Sequence, residues 1–390
     1  MSIIYEMLKK LDNRSKELLL EIQLSGPITN NQLIHNTNMT KSTLNRTMEP
    51  LINNKLIVEE STGDSTGGRK PIMFDVNNSE FYMVGVDISR TYIQMVLVNM
   101  KMEIFKEQIF YGVFTEYEII EIIQHNVAMF IKDFGLNSQN ILGIGIGVVG
   151  TIKMPTANEE VSNGNESLKD TLEKSLGYKV FIDNGANAAV TAEYYFGYGK
   201  GKNNISYINC GVGIRTGVIS DGRLIRSINN TEDAFGHMTV DIDGVLCSCG
   251  NFGCVESYAS ITRITDKFIS EVKKGYKTNS EKRLEDIDYI YVCSLAEAND
   301  EIAKKVIIEA ALHFGTGLSN YIKLLNPEMV ILSGPLVNHS LLFYERCIET
   351  VLKKCSVYTA SSIEFRREGY YGGRSISVGA AYMVFKESIK

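Results

Sequence analysis

The segment GHMTVDIDGVLCSCGNFGCVES (236–257) constrains this chain more than any other. It spaces one histidine and three cysteines as H-x9-C-x-C-x4-C: His237, Cys247, Cys249 and Cys254. One imidazole and three thiolates make the soft, tetrahedral donor set that Zn2+ prefers. With no fourth position left for water, the spacing predicts a structural zinc site. Gly244, Gly250 and Gly253 permit the tight turns that fold the thiols onto one point. The alternative is three incidental buried thiols. The chain has seven cysteines, an odd number. In a reducing compartment, close-spaced thiols point to metal before disulfides.

Length bounds the rest. The 390 residues, 44% hydrophobic and 22% charged, predict two or three packed domains at roughly 100–200 residues each. They exclude wholesale disorder. No apolar run reaches the roughly 18–20 residues that span a bilayer. MSIIYEMLKKLDNRSKE lacks the long apolar core and cleavage site of a signal peptide. The expectation is a cytoplasmic protein with no membrane partner. A net charge of −6 excludes a whole-molecule basic field for gripping nucleic acid, so any such contact must be local.

Residues 1–80 carry that local signal. RSKELLLEIQL (14–24) has Leu18, Leu19, Ile22 and Leu24 at helical spacing before Gly26-Pro27. TNNQLIHNT predicts a second short helix with Thr29 as N-cap and Leu33 and Ile34 turned inward. After a turn at Asn38 and Met39, Thr40 caps a third helix, KSTLNRTMEPLINN, with Leu44, Met48, Leu51 and Ile52 on its apolar face. Pro50 should bend that helix or end it early, because proline removes a backbone hydrogen bond. LIVEE and PIMFDV, flanking a Gly-rich loop, predict a two-stranded wing. Three short helices and a wing describe a winged helix-turn-helix. Its third helix would read a major groove through Lys41, Ser42, Thr43, Asn45 and Arg46. Arg69 and Lys70 at the wing tip suit phosphates or a minor groove. The alternative is a small helical protein-interaction module.

From residue 81 the texture is α/β. FYMVGVDIS, TYIQMVLVN and MEIFKEQIF read as three strands, followed by the helix EYEIIEIIQHNVAMFIKDF and the buried strand ILGIGIGVVG. YKVFIDN leads into a helix, GANAAVTAEYYFG. The pattern restarts near residue 204 with ISYINCGVGI, RTGVIS and GRLIRS; MVILSGPL reads as a last strand and GAAYMVFKES as a terminal helix. The domains expected are 1–80, then a lobe of 81–203 with the helix at about 376–390 packing back, then a second lobe of 204–375. A duplicated fold of this kind implies a ligand cleft.

On GPITNNQLIHNTNMTKSTLNRTMEPLINNKLI, STGGRKP, VGVDISRT, IDNGANAAVTAEYYFGYG, GHMTVDIDG and CSCGNFGCVE, the chain resembles the ROK family (repressors, open reading frames and sugar kinases), and within it the helix-turn-helix regulators. The resemblance implies a two-lobed, actin-like sugar-kinase fold, the structural zinc, and dimers or tetramers. It also implies a sugar or sugar-derivative effector contacted by Asn184, His237 and Glu256, and operator DNA with an inverted repeat, since two-fold proteins pair with palindromic half-sites.

The departures from the family pattern separate regulator from enzyme. Family kinases place a general-base Asp in N-D-A-N, where this chain has Asn184-Gly185-Ala186-Asn187; Gly185 has no side chain to take a proton. The phosphate loop G-T-G-x-G-x-G is Gly211-Val212-Gly213-Ile214-Arg215-Thr216-Gly217. Val212 lacks a hydroxyl, and Arg215 is bulky where backbone must approach closely. In D-x-G-x-T, read here as Asp87-Ile88-Ser89-Arg90-Thr91, the glycine is also replaced. Ala234 stands where the family has a sugar-binding glutamate three residues before the histidine. The expectation is a non-enzymatic, sugar-responsive repressor of carbohydrate-utilisation genes. The alternatives are an ATP-dependent sugar kinase, and a regulator that answers to a non-sugar ligand.

Overall fold

A computed structural model describes residues 3–60, 71–148, 167–226, 234–355 and 363–390. Contacts divide the chain into two units, 1–183 with 377–390, and 184–376.

The first unit opens with α1 (Ile3–Lys10), α2 (Asn13–Ser25), β1 (Ile28–Thr29), α3 (Asn30–Thr37), α4 (Lys41–Asn53), β2 (Ile57–Glu60) and β3 (Met73–Val76). Side-chain caps start each of the three central helices: Asp12 for α2, Thr29 for α3 in a capping box with Gln32, and Thr40 for α4. Leu18, Leu19, Ile22, Leu33, Leu44 and Leu51 are fully buried between them. The wing has three strands where two were expected: Ile28 of β1 pairs with Phe74 of β3 on one side, and β2 pairs with β3 on the other.

Two points of the α4 expectation are corrected. Of the bend or early end expected at Pro50, the early end does not occur: the helix runs on to Asn53. Met48 and Leu51, on either side of the proline, are buried, and that packing offsets the single lost hydrogen bond. Ile52, expected on the apolar face, is 42% exposed.

β4 (Tyr82–Ile88), β5 (Tyr92–Asn99) and β6 (Ile104–Tyr111) form an antiparallel meander, followed by α5 (Glu116–Asp133), β7 (Ile141–Val148), α6 (Leu168–Leu176) and β8 (Val180–Asn184). The sheet order is β6-β5-β4-β7-β8, with β7 parallel to β4. Helix α14 (Ser375–Ser388) returns to this unit from residue 377 and lies directly on the sheet. A Cβ on Gly145 of β7 would fall 1.8 Å from the Ala380 carbonyl oxygen, so this backbone approach requires glycine at that position.

The second unit repeats the plan. It contains α7 (Gly185–Phe196), β9 (Ile205–Cys210), β10 (Ile214–Ser220), β11 (Arg223–Leu224), α8 (Glu256–Ala259), α9 (Ile261–Lys273), α10 (Tyr289–Glu297), α11 (Glu301–Leu325), β12 (Met329–Ser333), α12 (Pro335–His339), α13 (Leu341–Cys355) and β13 (Glu364–Arg367). The order β11-β10-β9-β12-β13 matches that of the first unit, again with a parallel strand, β12, inserted beside the first strand of the meander. β12 is therefore not the last strand; β13 follows at the edge. Residues 184–203, which precede the sequence restart at 204, belong to this unit by contact. Helix α7 lies on β10 so closely that a Cβ at Gly217 would be 2.1 Å from the Ala186 carbonyl oxygen. No helix among the described residues is long and apolar enough to cross a membrane.

Candidate DNA interface, metal centre and effector site

The first turn and a half of α4 carries the groove-reading candidates. Lys41, Ser42, Asn45 and Arg46 are exposed; Thr43 is half-buried, and its backbone N–H donates to the Thr40 hydroxyl (3.3 Å). Leu44, Thr47, Met48 and Leu51 take the opposite side of the helix into the core. The 3.6-residue period thus separates a polar, cationic face from an apolar one. Arg69 and Lys70 lie outside the described residues.

In the second unit, His237, Cys247, Cys249 and Cys254 converge, with their four ligand atoms all within 4.8 Å of one another. Cys249 Sγ and Cys254 Sγ are 3.7 Å apart, and His237 Nδ1 lies 3.6 Å from Cys247 Sγ. A tetrahedral ion with metal–sulfur bonds near 2.3 Å and metal–nitrogen bonds near 2.0 Å has edges of about 3.8 and about 3.5 Å. The donor set and its spacing fit such an ion. Backbone bonds shape the loop: Cys247 N–H donates to the Asn251 carbonyl (2.7 Å) and Val240 N–H to the Gly253 carbonyl (2.8 Å). Gly253 has φ +68°, and a Cβ there would sit 1.6 Å from the Asp241 carbonyl oxygen. Only glycine fits.

The electrostatics also call for a cation. Burial and the neighbouring thiols push Cys254 up to about 12, while the Asn251 backbone N–H holds Cys249 below the usual thiol range. Three thiolates at this spacing need positive charge among them. The cluster can hold a metal.

Of the expected effector residues, His237 and Glu256 belong to the same segment, and Asn184 lies at the start of α7. His237 follows Phe235, whose ring packs edge-on against Phe314 and Tyr321 at 5.4 and 5.3 Å between centroids. Glu256 opens α8, and its N–H donates to the Gly236 carbonyl (2.8 Å), which ties it to the histidine. Asn184 caps α7, its side-chain oxygen accepting from Ala186 N–H at 2.8 Å. Ala234 is exposed, and its carbonyl accepts from the His237 N–H (3.1 Å).

One partnership in this region was not legible in the sequence. Glu256 Oε2 accepts from the Ile214 N–H (2.9 Å) and from Arg215 Nη1 (3.4 Å). Both side chains are largely buried, at 7% and 13% exposure. The Arg215 side chain lies over Gly213, where a Cβ would be 3.0 Å from Nη1. The arginine was visible as an intruder in a glycine-rich loop; its partner, 41 residues on, was not. Tyr258 is a second such residue: its hydroxyl donates to Asp241 (2.9 Å) and accepts from Val245 N–H (3.0 Å), and its ring stacks on His313 at 3.8 Å. It braces the cysteine loop.

Among the kinase positions, Gly185 is buried at the start of α7. Asp87 is fully buried, accepts from the Tyr92 hydroxyl (2.9 Å), and is pushed up to about 7 by burial.

Comparison with known proteins accords with these features. The sequence profile described as the ROK family matches residues 83–387. The xylose repressor of Bacillus subtilis (strain 168) is 31% identical over 330 residues, covering 83% of this chain and 82% of the repressor. Among solved structures, a ROK family transcriptional regulator, a homologue of the E. coli MLC protein, superposes with TM-score 0.78 at 20% identity over 98% of both chains. A ROK family glucokinase from Streptomyces griseus, in complex with glucose and AMPPNP, superposes with TM-score 0.65 at 26% identity, covering 77% of this chain and 98% of the kinase.

Proposed function

The chain belongs to the ROK family, and from that premise we propose that it is a sugar-responsive transcriptional repressor of carbohydrate-utilisation genes that does not phosphorylate its ligand. The observation that carries the reading is the exposed, cationic N-terminal face of α4, set on a winged helical module that the kinase-like body does not need. Arg46 and Asn45 read base edges, Lys41, Ser42 and Thr43 hold phosphates, and Arg69 and Lys70, which precede β3 in sequence, add a further cationic contact. A homodimer or homotetramer engages an inverted repeat.

His237, Cys247, Cys249 and Cys254 hold Zn2+, which supplies cross-linking of the loop rather than chemistry, since protein atoms fill all four positions. Asn184, His237 and Glu256 contact the hydroxyls of the effector, for which the relative's name makes D-xylose the first candidate. Loss of kinase activity is supported by Gly185, by Val212, and by the pairing of Arg215 with Glu256 in the glycine-rich loop.

The test has two arms. Duplexes enriched by the full-length protein from a random library should contain a palindrome, and D-xylose or another sugar in a pentose, hexose and amino-sugar panel should raise the melting temperature and alter affinity for that duplex. Failure to enrich any sequence overturns the reading. ADP release with any sugar of the panel returns the chain to the kinases.

A further inference from the structure

The turn between β5 and β6 does more than close a hairpin. Its tip, Met100-Lys101-Met102, is received by the N-terminal module. Gln23 of α2 donates from its side-chain amide to the Met100 carbonyl (2.7 Å). Lys101 Nζ pairs with Asp75 of β3. Asn99 donates to the Asn78 carbonyl (3.2 Å), just beyond β3. Met100, Met102, Asn99 and Asp75 are all essentially without solvent exposure.

The turn itself is rigid. Asn99 Oδ1 accepts from the N–H groups of both Lys101 (2.9 Å) and Glu103 (3.0 Å), and Met102 takes the left-handed conformation at φ +59°. Asp75, in turn, lies against the end of α2, where a Cβ at Gly26 would be 2.6 Å from its Oδ1. One short turn therefore touches α2, the third strand of the wing, and the chain leaving it.

The chemistry of the joint is not that of simple adhesion. Gln23 Oε1 is buried with no hydrogen-bond partner, and a buried polar group left unpaired costs free energy. Apolar residues at these positions would bind the module more tightly. A carboxylate–ammonium pair and a directed amide bond instead set where the module sits, because they are satisfied in one placement only. β5 runs from Tyr92, whose hydroxyl meets the buried Asp87, to this turn. It is a strand of eight residues hydrogen-bonded on both edges, so it forms a stiff lever of about 26 Å at roughly 3.3 Å per residue.

We propose that the β5–β6 turn, through Lys101–Asp75 and Gln23–Met100, is the coupler that transmits the effector-bound state of the kinase-like body to the DNA-reading helix. The proposal rests on the DNA-binding reading above and adds the route. Lys101, Asp75 and Gln23 are positioning residues that touch neither ligand. An isolated flexible tether at residues 77–81 would let the module keep its own orientation; this joint makes it move with the sheet.

The test compares full-length wild type with Lys101→Met, Lys101→Arg and Gln23→Met. Fluorescence anisotropy on the palindromic duplex enriched by wild type gives DNA affinity with and without the sugar that shifts the wild-type melting temperature. Typical coupling changes affinity by about 5–150-fold. In Lys101→Met and Gln23→Met the sugar-induced change should fall at least about fivefold toward no effect, while DNA affinity without sugar stays near wild type. Lys101→Arg, which keeps the charge pair, should restore the response and controls for misfolding. Sugar-induced changes in both Met variants equal to wild type overturn the coupler and leave the function reading standing. Loss of DNA affinity without sugar in Lys101→Met also overturns it, since the pair would then only hold the reader together. A wild type that answers to no sugar overturns the function reading, and the coupler with it.

Discussion

Arg215, in the glycine-rich loop motif 211–217, and Glu256, at the start of α8, form a largely buried ion pair, Nη1 to Oε2 at 3.4 Å. The carboxylate is also held by the Ile214 N–H, so the pair is a built part of this loop and not a chance surface contact. Removing one partner of such a pair strands the other charge. Arg215→Met should therefore lower unfolding free energy by about 3 kcal/mol, at the low end for buried pairs because the backbone donor remains. The double variant Arg215→Met/Glu256→Gln should recover more than half of that loss. Urea denaturation of the four proteins in a double-mutant cycle measures it; simple additivity would mean the pair is energetically silent.

Metal removal should be costly. Purified protein is expected to contain one zinc per chain by elemental analysis, and Cys249→Ser or Cys254→Ser to contain much less. A site filled at a thousand times its dissociation constant contributes about 4 kcal/mol, so a strong chelator should depress the melting temperature markedly. Gly253→Ala should mimic metal loss with all four ligands intact, because the added methyl meets the Asp241 carbonyl. A Gly253→Ala protein with full zinc and unchanged melting would refute this account of the loop.

The DNA face predicts separable defects. Arg46→Ala and Asn45→Ala should each cost about 1–3 kcal/mol on the preferred duplex and relax base preference at one position. Lys41→Ala should weaken all duplexes alike and reduce the slope of log affinity against log salt by about one. Anisotropy titrations at several salt concentrations distinguish the two classes. Equal losses on specific and random DNA for Arg46→Ala would place that residue on phosphate instead.

Asp87 makes stability depend on pH in an unusual direction. Its folded-state value is raised to about 7 by burial, from an ordinary 3.8. Between those values the native protein holds a proton that the unfolded chain has released, so the contribution of this group to stability falls as pH rises from about 4 to about 7. Asp87→Asn, which keeps an acceptor for the Tyr92 hydroxyl, should therefore be more stable than wild type at pH 8, with the gain shrinking toward pH 4. Denaturant midpoints across that range read it directly. A variant less stable than wild type at pH 8 would show that the carboxylate is charged and held.

Local rules made much of the fold legible. The caps at Thr29 and Thr40, the apolar runs of β4 and β5, and the H-x9-C-x-C-x4-C spacing all act within a few residues or one loop, so the sequence displays them directly. Failures cluster where long-range packing overrode a local signal. Pro50 stays inside α4 because Met48 and Leu51 are buried around it. β13 is a short charged edge strand, EFRR, whose identity depends on β12 lying beside it. Helix α1 escaped notice because its buried face, Ile4, Tyr5 and Leu8, belongs to the body; the Tyr5 ring packs at 6.0 Å from Phe181.

The sequence alone determined the short-range features of this chain: three thiols and an imidazole in one segment, Gly185 between Asn184 and Ala186, and a polar face on a helix that follows a capping threonine. Those properties live in residue identity and short spacing. The tertiary structure decided what these residues face. It paired Arg215 with a glutamate 41 positions away, placed Lys101 of a hairpin turn against Asp75 of the wing, and left Asp87 in surroundings where its charge is costly. Burial and partnership are properties of the packed chain, because the free energy of a charge depends on what surrounds it and not on its neighbours in sequence.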